Sequence, residues 1–273
     1  KQKSGHQIAG FMNSGEKRVD GTQIASLANF AGGPSRLGQY AGLANFAQDT
    51  VHTVQLAGLV NLAKIATGHQ FSGLGNLNQK GTVKLQISGL SNISGGSVSI
   101  GQFSGLANIA KNTSAIQIAG GANISRNIKI GQAGAVNIAQ KVTGFQIGVA
   151  NITNRISGLQ VGVVNLSNKI NGESIGLLSY ANNGLLNANV WQDEVGLSHF
   201  TLQSGSQHLY TAYSVGAKTF DQHPVFAIGV GFGGQIESSR AYLDLSGHQY
   251  VVFEDIDTDY VRNHLSRLRG SFG

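Results

Sequence analysis

One pattern recurs through the first 172 residues: a glutamine, a bulky apolar residue, small residues including glycine, then an asparagine and another apolar residue. The glutamines are Gln7, Gln23, Gln39, Gln55, Gln70, Gln86, Gln102, Gln117, Gln132, Gln146 and Gln160. Their partners are Asn13, Asn29, Asn45, Asn61, Asn76, Asn92, Asn108, Asn123, Asn137, Asn151 and Asn165. A spacing of 14 to 16 residues held through eleven units requires an array of equivalent structures. Repetition therefore sets the architecture before any single side chain suggests a chemistry.

A unit this short cannot hold a helical pair, which takes about 30 residues or more, and its Gly, Ser and Asn content disfavours helix. Gln-Ile-Ala-Gly and Asn-Ile-Ala are each long enough for one short strand. The stretches between, such as Gly32-Gly33-Pro34-Ser35 and Gly95-Gly96-Ser97, carry turn residues. Two strands and two turns make one coil of a flattened β-solenoid, and the expected domain is residues 1–172. The separation from glutamine to asparagine is six residues in the first eight units and five in the last three. On one continuous strand that change would move the asparagine to the other face, so a corner or bulge between the strands is required.

Stacked coils put like over like, about 4.8 Å apart. A carboxamide both donates and accepts, so each can bond its copies above and below, as in cross-β stacks. This assigns Gln55, Gln70, Gln86, Gln102, Gln117, Asn61, Asn76, Asn92, Asn108 and Asn123 to structural amide ladders, in preference to an exposed row that binds ligand. The aliphatic residues that follow the glutamines, Ile8, Ile24, Leu56, Ile87, Ile118 and Val161, are expected to stack into a dry interior.

Near residue 172 the pattern changes. Ser174 to Ser179 reads as a degraded twelfth unit, giving 11 to 12 coils in all. Longer alternating runs follow, at 186–192, 194–203, 208–220, 223–236 and 239–253, and predict a five-stranded antiparallel meander over 173–273. In Phe226 to Gly233 bulky apolar residues alternate with alanine or glycine. Residues 257–268 could form a short amphipathic helix with Val261, His264, Leu265 and Leu268 on one side. The meander has the dyad pattern of outer-membrane strands, so an outer-membrane β-barrel is the alternative fold. Against it, consecutive strands of such a barrel run in opposite directions, which a direct repeat does not suit.

With 273 residues, 39 glycines and only 2 prolines, the chain can bury a large core and has neither a collagen nor a disorder signature. The absence of cysteine excludes disulfides and thiolate metal sites. No signal peptide is legible, and no apolar run approaches the 18 or so residues of a transmembrane helix, so an exported form would be a mature chain or a fragment.

Two units, Gly144-Phe145-Gln146-Ile147-Gly148-Val149-Ala150-Asn151-Ile152 and Gly158-Leu159-Gln160-Val161-Gly162-Val163-Val164-Asn165-Leu166, resemble those of bacterial surface-repeat proteins of spirochaetes and Bacteroidota. In that family Gln-Ile-Gly-x-x-Asn units precede a barrel-like C-terminal region. The resemblance is strongest over residues 7–172. It implies an outer-membrane or cell-surface location and a non-enzymatic scaffold or interaction role, with the integral outer-membrane barrel or an accessory subunit of an envelope complex as the second reading.

Charge divides unequally. Residues 1–172 hold 14 Lys and Arg against Glu16, Asp20 and Asp49, a balance of +11, whereas the rest holds 5 against 10, or −5. Lys64, Lys80, Lys111, Arg126, Lys141, Arg155 and Lys169 recur three or four places after the repeat asparagines. Stacking turns that recurrence into a cationic edge with two readings: protection of an exposed β edge, or attraction of an anionic glycan or lipopolysaccharide. Without an aromatic platform, nucleic acid is disfavoured. The expected partners are a protein or the outer-membrane surface, and unpaired strand edges also allow end-to-end self-association.

No catalytic, cofactor or metal site is legible. The eight histidines are scattered, with none at a metal-ligand spacing from another. Asp255, Asp257 and Asp259 alternate as calcium ligands can, but lack the turn glycine and later glutamate of an EF-hand. Asp193 and Glu194 are expected on opposite faces of a strand, which excludes a glycosidase pair. Gly229-Val230-Gly231-Phe232-Gly233 lies in a strand pattern and opens no helix, so it is not a nucleotide loop.

Overall fold

The structure is a computed structural model that describes residues 5–194, 196–218, 224–238, 241–256 and 259–272. The chain is all-β: a parallel β-solenoid of about twelve turns and an antiparallel sheet, with no helix among the described residues. It divides into two compact units, Lys1–Asn154 and Arg155–Gly273.

In the first unit each coil pairs in parallel with the next, and the register is set by the amides. Gln7 lies over Gln23, Gln23 over Gln39 and Gln39 over Gln55, while Asn13 lies over Asn29, Asn29 over Asn45 and Asn45 over Asn61. The strands are short, as in Gln23–Ala25 and Ala28–Ala31, because a two-residue corner separates them, Ser26-Leu27 here and Gly-Leu in the five coils that follow. Where the separation shortens to five residues, Phe145–Ile156 runs as one strand, and both Gln146 and Asn151 still point inward. Alternation slips by one place between them, which absorbs the missing residue.

The aliphatic residues that follow the glutamines do not fill the interior. Ile24, Leu56, Ile87 and Ile118 are exposed, and Ile8 is 78% exposed, whereas Gln23, Gln55, Gln86 and Gln117 are fully buried. Val161 is half-buried. Neighbours on a strand point to opposite faces, so an amide inside puts the next residue outside. The interior places beside the amides go to small residues two positions on, among them Ala25, Ala41, Ala57 and Ala119. Apolar packing inside the first unit centres on Val19, Val51, Ala66, Val83 and Val98, with Ala31, Ala47, Ala63 and Ala110.

The second unit opens with repeat strands. Gln160 pairs with Ser174 and Asn165 with Ser179, so each amide column ends in a serine. A six-stranded antiparallel sheet follows: Leu185–Gln192, Ser198–Gly205, Leu209–Lys218, Val225–Ser238, Ala241–Ile256 and Asp259–Phe272. Of the residues expected to form a C-terminal helix, 259–268 belong to the sixth strand, and 257 and 258 lie outside the described residues. Leu243 to Ile256 offers that strand a ladder of 14 partners, and antiparallel pairing outweighs a marginal amphipathic helix of twelve residues. The sheet is also not a closed barrel.

The boundary between compact units falls earlier than the expected 172/173, because the sheet is tied to the repeat strands of its own unit. Ser204 Oγ donates to Ser179 O at 2.6 Å and accepts from Ser179 N at 3.1 Å. Thr211 Oγ1 donates to Gly176 O at 2.7 Å, and the Tyr213 hydroxyl donates to Leu177 O.

Candidate functional site: an enclosed amide core, an apolar edge and a cationic edge

Short inward strands force the carboxamides together at the spacing of the coils. Gln86 Nε2 donates to Gln70 Oε1 at 2.7 Å, Gln102 to Gln86 at 2.7 Å and Gln117 to Gln102 at 2.6 Å, each toward the preceding coil. Asparagines donate the other way: Asn76 Nδ2 to Asn92 Oδ1 at 2.9 Å, Asn92 to Asn108 at 3.0 Å and Asn108 to Asn123 at 3.1 Å. Gln55 and Gln70 continue the first column, and Asn61 and Asn123 continue the second. The two columns therefore run with opposed polarity, so their aligned side-chain dipoles offset one another. Each asparagine Nδ2 also reaches main-chain oxygens, as Asn108 does toward Gln102 O at 3.2 Å and Ile118 O at 2.7 Å. With all ten ladder amides at most 2% exposed, they face no ligand.

Outside the amides the coil surface is apolar around the Gly-Leu corner. Leu43, Leu59, Leu74, Leu90 and Leu106 form a row at the corner itself, held in step because each leucine N–H donates to the leucine carbonyl one coil back. A row after the glutamines and a row after the asparagines, including Ile93, Ile109 and Ile124, flank it on either side. Glycine fits the close approach of coils at this corner: a Cβ on Gly58 would lie 2.0 Å from Gly42 O, although Ser26 holds the equivalent place two coils back.

The opposite edge carries the cations. Lys64, Lys80, Lys111, Arg126 and Lys141 in the first unit are all exposed, as are Arg155 and Lys169 in the second. Residues three and four after an asparagine both face outward because the strand bends there, before turning Val83, Val98, Ile128 or Val142 back inside. The stack is partly staggered. Ala110 lies over Ser125 and Asn112 over Asn127, which sets Lys111 beside Arg126, whereas Lys141 lies over Asn127. Like charges on neighbouring coils repel by about 1 kcal/mol even in water, which an anion would relieve. Lys84 and Lys129 are exposed near the same inward valines and isoleucine. Counting forward from the asparagine hides them; counting back from the next glutamine would have found them. No acidic residue occurs from Thr50 to Gly172.

The six-stranded sheet repeats the inversion. Phe226, Ile228, Val230 and Phe232 face outward, while the intervening Gly229, Gly231 and Gly233 lie under the rings of Tyr250, His248 and Tyr210. A Cβ at any of the three would meet ring atoms at 2.4 Å, which explains the bare face of this strand. Tyr210 donates its hydroxyl to Asp244 at 2.6 Å, and Trp191 Nε1 donates to Thr201 at 3.0 Å. An inner polar cavity of about 100 Å³ is lined by residues that include Asn187 and Asn189 of the first strand and Arg269 and Ser271 of the last. The sheet thus rolls until its outer strands meet through side chains.

Asp193 and Glu194 lie in the turn after the first strand, since the second strand begins only at Ser198. Both reach one guanidinium: Arg267 Nη1 is 3.3 Å from Asp193, and Nη2 is 3.0 Å from Glu194. Asp193 also bonds His199 at 3.1 Å and accepts from Leu197 N at 2.8 Å. Burial pushes the Asp193 carboxyl up, but His199, the Leu197 N–H and the charge of Arg267 together hold it below the usual carboxylate range. His199 is enclosed, stacked 4.2 Å from Trp191 and edge-on to Tyr250 at 5.3 Å. This cluster braces the sheet, with the side chains of His199 and Asp193 only 3% and 2% exposed. No sequence signal marked it, since 74 residues separate Asp193 from Arg267.

Among the described residues no group of three or more His, Cys, Asp or Glu is placed to hold a metal ion. Asp257 and the side chains of Asp255 and Asp259 lie outside the described residues. Comparison with protein-family models, with curated proteins and with solved structures gives no match in any of the three.

Proposed function

We propose that this protein is a non-enzymatic repeat protein of the bacterial outer envelope, serving as a rigid scaffold or interaction module at the cell surface. The observation that carries the reading is the orientation of side chains in both units: amides, hydroxyls and a buried carboxylate turned inward beside a few enclosed apolar groups such as Ile128 and Tyr250, with rows of large aliphatics and phenylalanines turned outward. A chain of this kind meets its surroundings with apolar rows and a cationic edge, which suits a surface or a partner better than a dissolved substrate. The ladder interior supports a scaffold role, because every coil is locked to its neighbours through amide and main-chain bonds.

A second reading, with the C-terminal sheet embedded in the outer membrane, is favoured by its outward face, where Val190, Ile228, Leu268 and Phe272 are more than half exposed. Cell fractionation followed by extraction of the envelope tests both. Release by carbonate, whether or not high salt alone suffices, supports the peripheral scaffold, and release by detergent alone supports the embedded sheet. Recovery in the soluble cell fraction would overturn the envelope assignment.

A further inference from the structure

We propose that the solenoid of the first unit is an amphipathic wedge that lies along an anionic lipid leaflet, with its leucine corner among the acyl chains and its cationic edge at the headgroups. The inference deepens the envelope reading, on which it rests for its biological setting.

Three observations carry it. Backbone groups along the coils bond to the coils above and below, so the apolar faces present almost no bare N–H or C=O. That is the condition any segment must meet to enter hydrocarbon. Next, the apolar rows meet at a convex corner, from Leu43 to Leu106. Two convex edges of neighbouring copies would touch along a line and leave the flanking rows bare, whereas a fluid leaflet covers all three rows.

The third observation is the position of charge. Lys64 follows the corner Leu59 by five residues, about 17 Å of extended chain. Half of a bilayer's hydrocarbon core is about 15 Å. With the leucines at the leaflet's depth, the lysines and arginines arrive at the phosphates, and their flexible stems cover the remaining difference. Acidic residues, which would oppose this docking, are absent from Thr50 to Gly172.

The test uses the full chain and sedimentation with vesicles of phosphatidylcholine alone or mixed with phosphatidylglycerol. Pelleting with the anionic vesicles at least ten-fold above the neutral ones, surviving a high-salt wash once bound, is the expected result. The triple variant Leu59→Ser, Leu74→Ser, Leu90→Ser alters only exposed side chains and should lose salt-resistant binding while keeping the β-sheet circular dichroism of the parent. A tryptophan placed at Leu74 should be quenched by lipids brominated in the acyl chain, and one placed at Lys80 only by a headgroup quencher. Binding that high salt removes completely, or that the triple variant retains, would overturn the wedge, as would a dimer in sedimentation velocity that the triple variant dissociates. Envelope localisation without vesicle binding sinks this inference and leaves the scaffold standing; vesicle binding by a protein recovered in the soluble fraction does the reverse.

Discussion

Asn108 donates from Nδ2 to Oδ1 of Asn123, one coil further along, at 3.1 Å. In the neighbouring column Gln117 donates back to Gln102 at 2.6 Å. A stack of parallel amides with a single polarity would build up a dipole along the solenoid, and opposed columns avoid it. The arrangement explains how an interior so polar is held together: the ladder amides from Gln55 to Gln117 and from Asn61 to Asn123 are all paired, and burial without pairing is what costs free energy.

Replacing Asn108 by leucine removes an acceptor for Asn92 and a donor to Asn123 and to two main-chain oxygens. Several buried groups then lose partners, and a loss of about 2–4 kcal/mol is expected. Ile109→Gln, one position on but facing outward, should change stability by less than about 0.5 kcal/mol. Urea unfolding of the two variants checks the contrast, and equal effects would contradict the inward amide.

Gly58→Ala places a methyl 2.0 Å from Gly42 O, a backbone atom with little freedom to move. Overpacking of this kind costs about 1–3 kcal/mol. A lowered thermal midpoint with unchanged vesicle binding is expected, because the corner leucines remain outside.

Arg267→Ala leaves Asp193 bonded to His199 and Leu197 but without its cation. The expected loss is about 2 kcal/mol, below the roughly 3–5 of a pair with no other support. Trp191, the single tryptophan, lies under both Arg267 and Arg269 at 5.3 Å, so its emission should shift to the red as the outer strands separate. Combined with Asp193→Asn, the second change should add less than its separate cost.

Acid should weaken the sheet in two stages. His248 is held below its ordinary value by burial and by Arg269, so its contribution is complete above an unfolded pKa of about 6.5 and declines as pH falls through the lower folded value. Asp193, also depressed, contributes above about pH 4 and is lost below. Thermal unfolding followed by Trp191 emission from pH 7 to pH 2 should show both losses, and Asp193→Asn should abolish the lower one.

The repeat, the register of like over like and the identity of the stacked amides are legible in the chain because a fixed period leaves translation along one axis as the only economical arrangement. Local pattern misled where partners decide the outcome. Leu265 and Leu268 suit a helix as well as a strand, and only the preceding strand's open edge selected the sheet. Asp193 and Glu194 read as strand neighbours until the turn brought both to Arg267.

By itself the sequence determined that this protein stacks short β coils with glutamine over glutamine and asparagine over asparagine. Which face of each strand turned inward was a tertiary decision. Gln117 and Ile118 cannot both be interior, and their order alone does not choose between them. Interior width chose: opposing strands close enough for Nε2 of Gln117 to approach Ile124 O leave room there for amides and alanines, and put Ile118 and Ile124 outside.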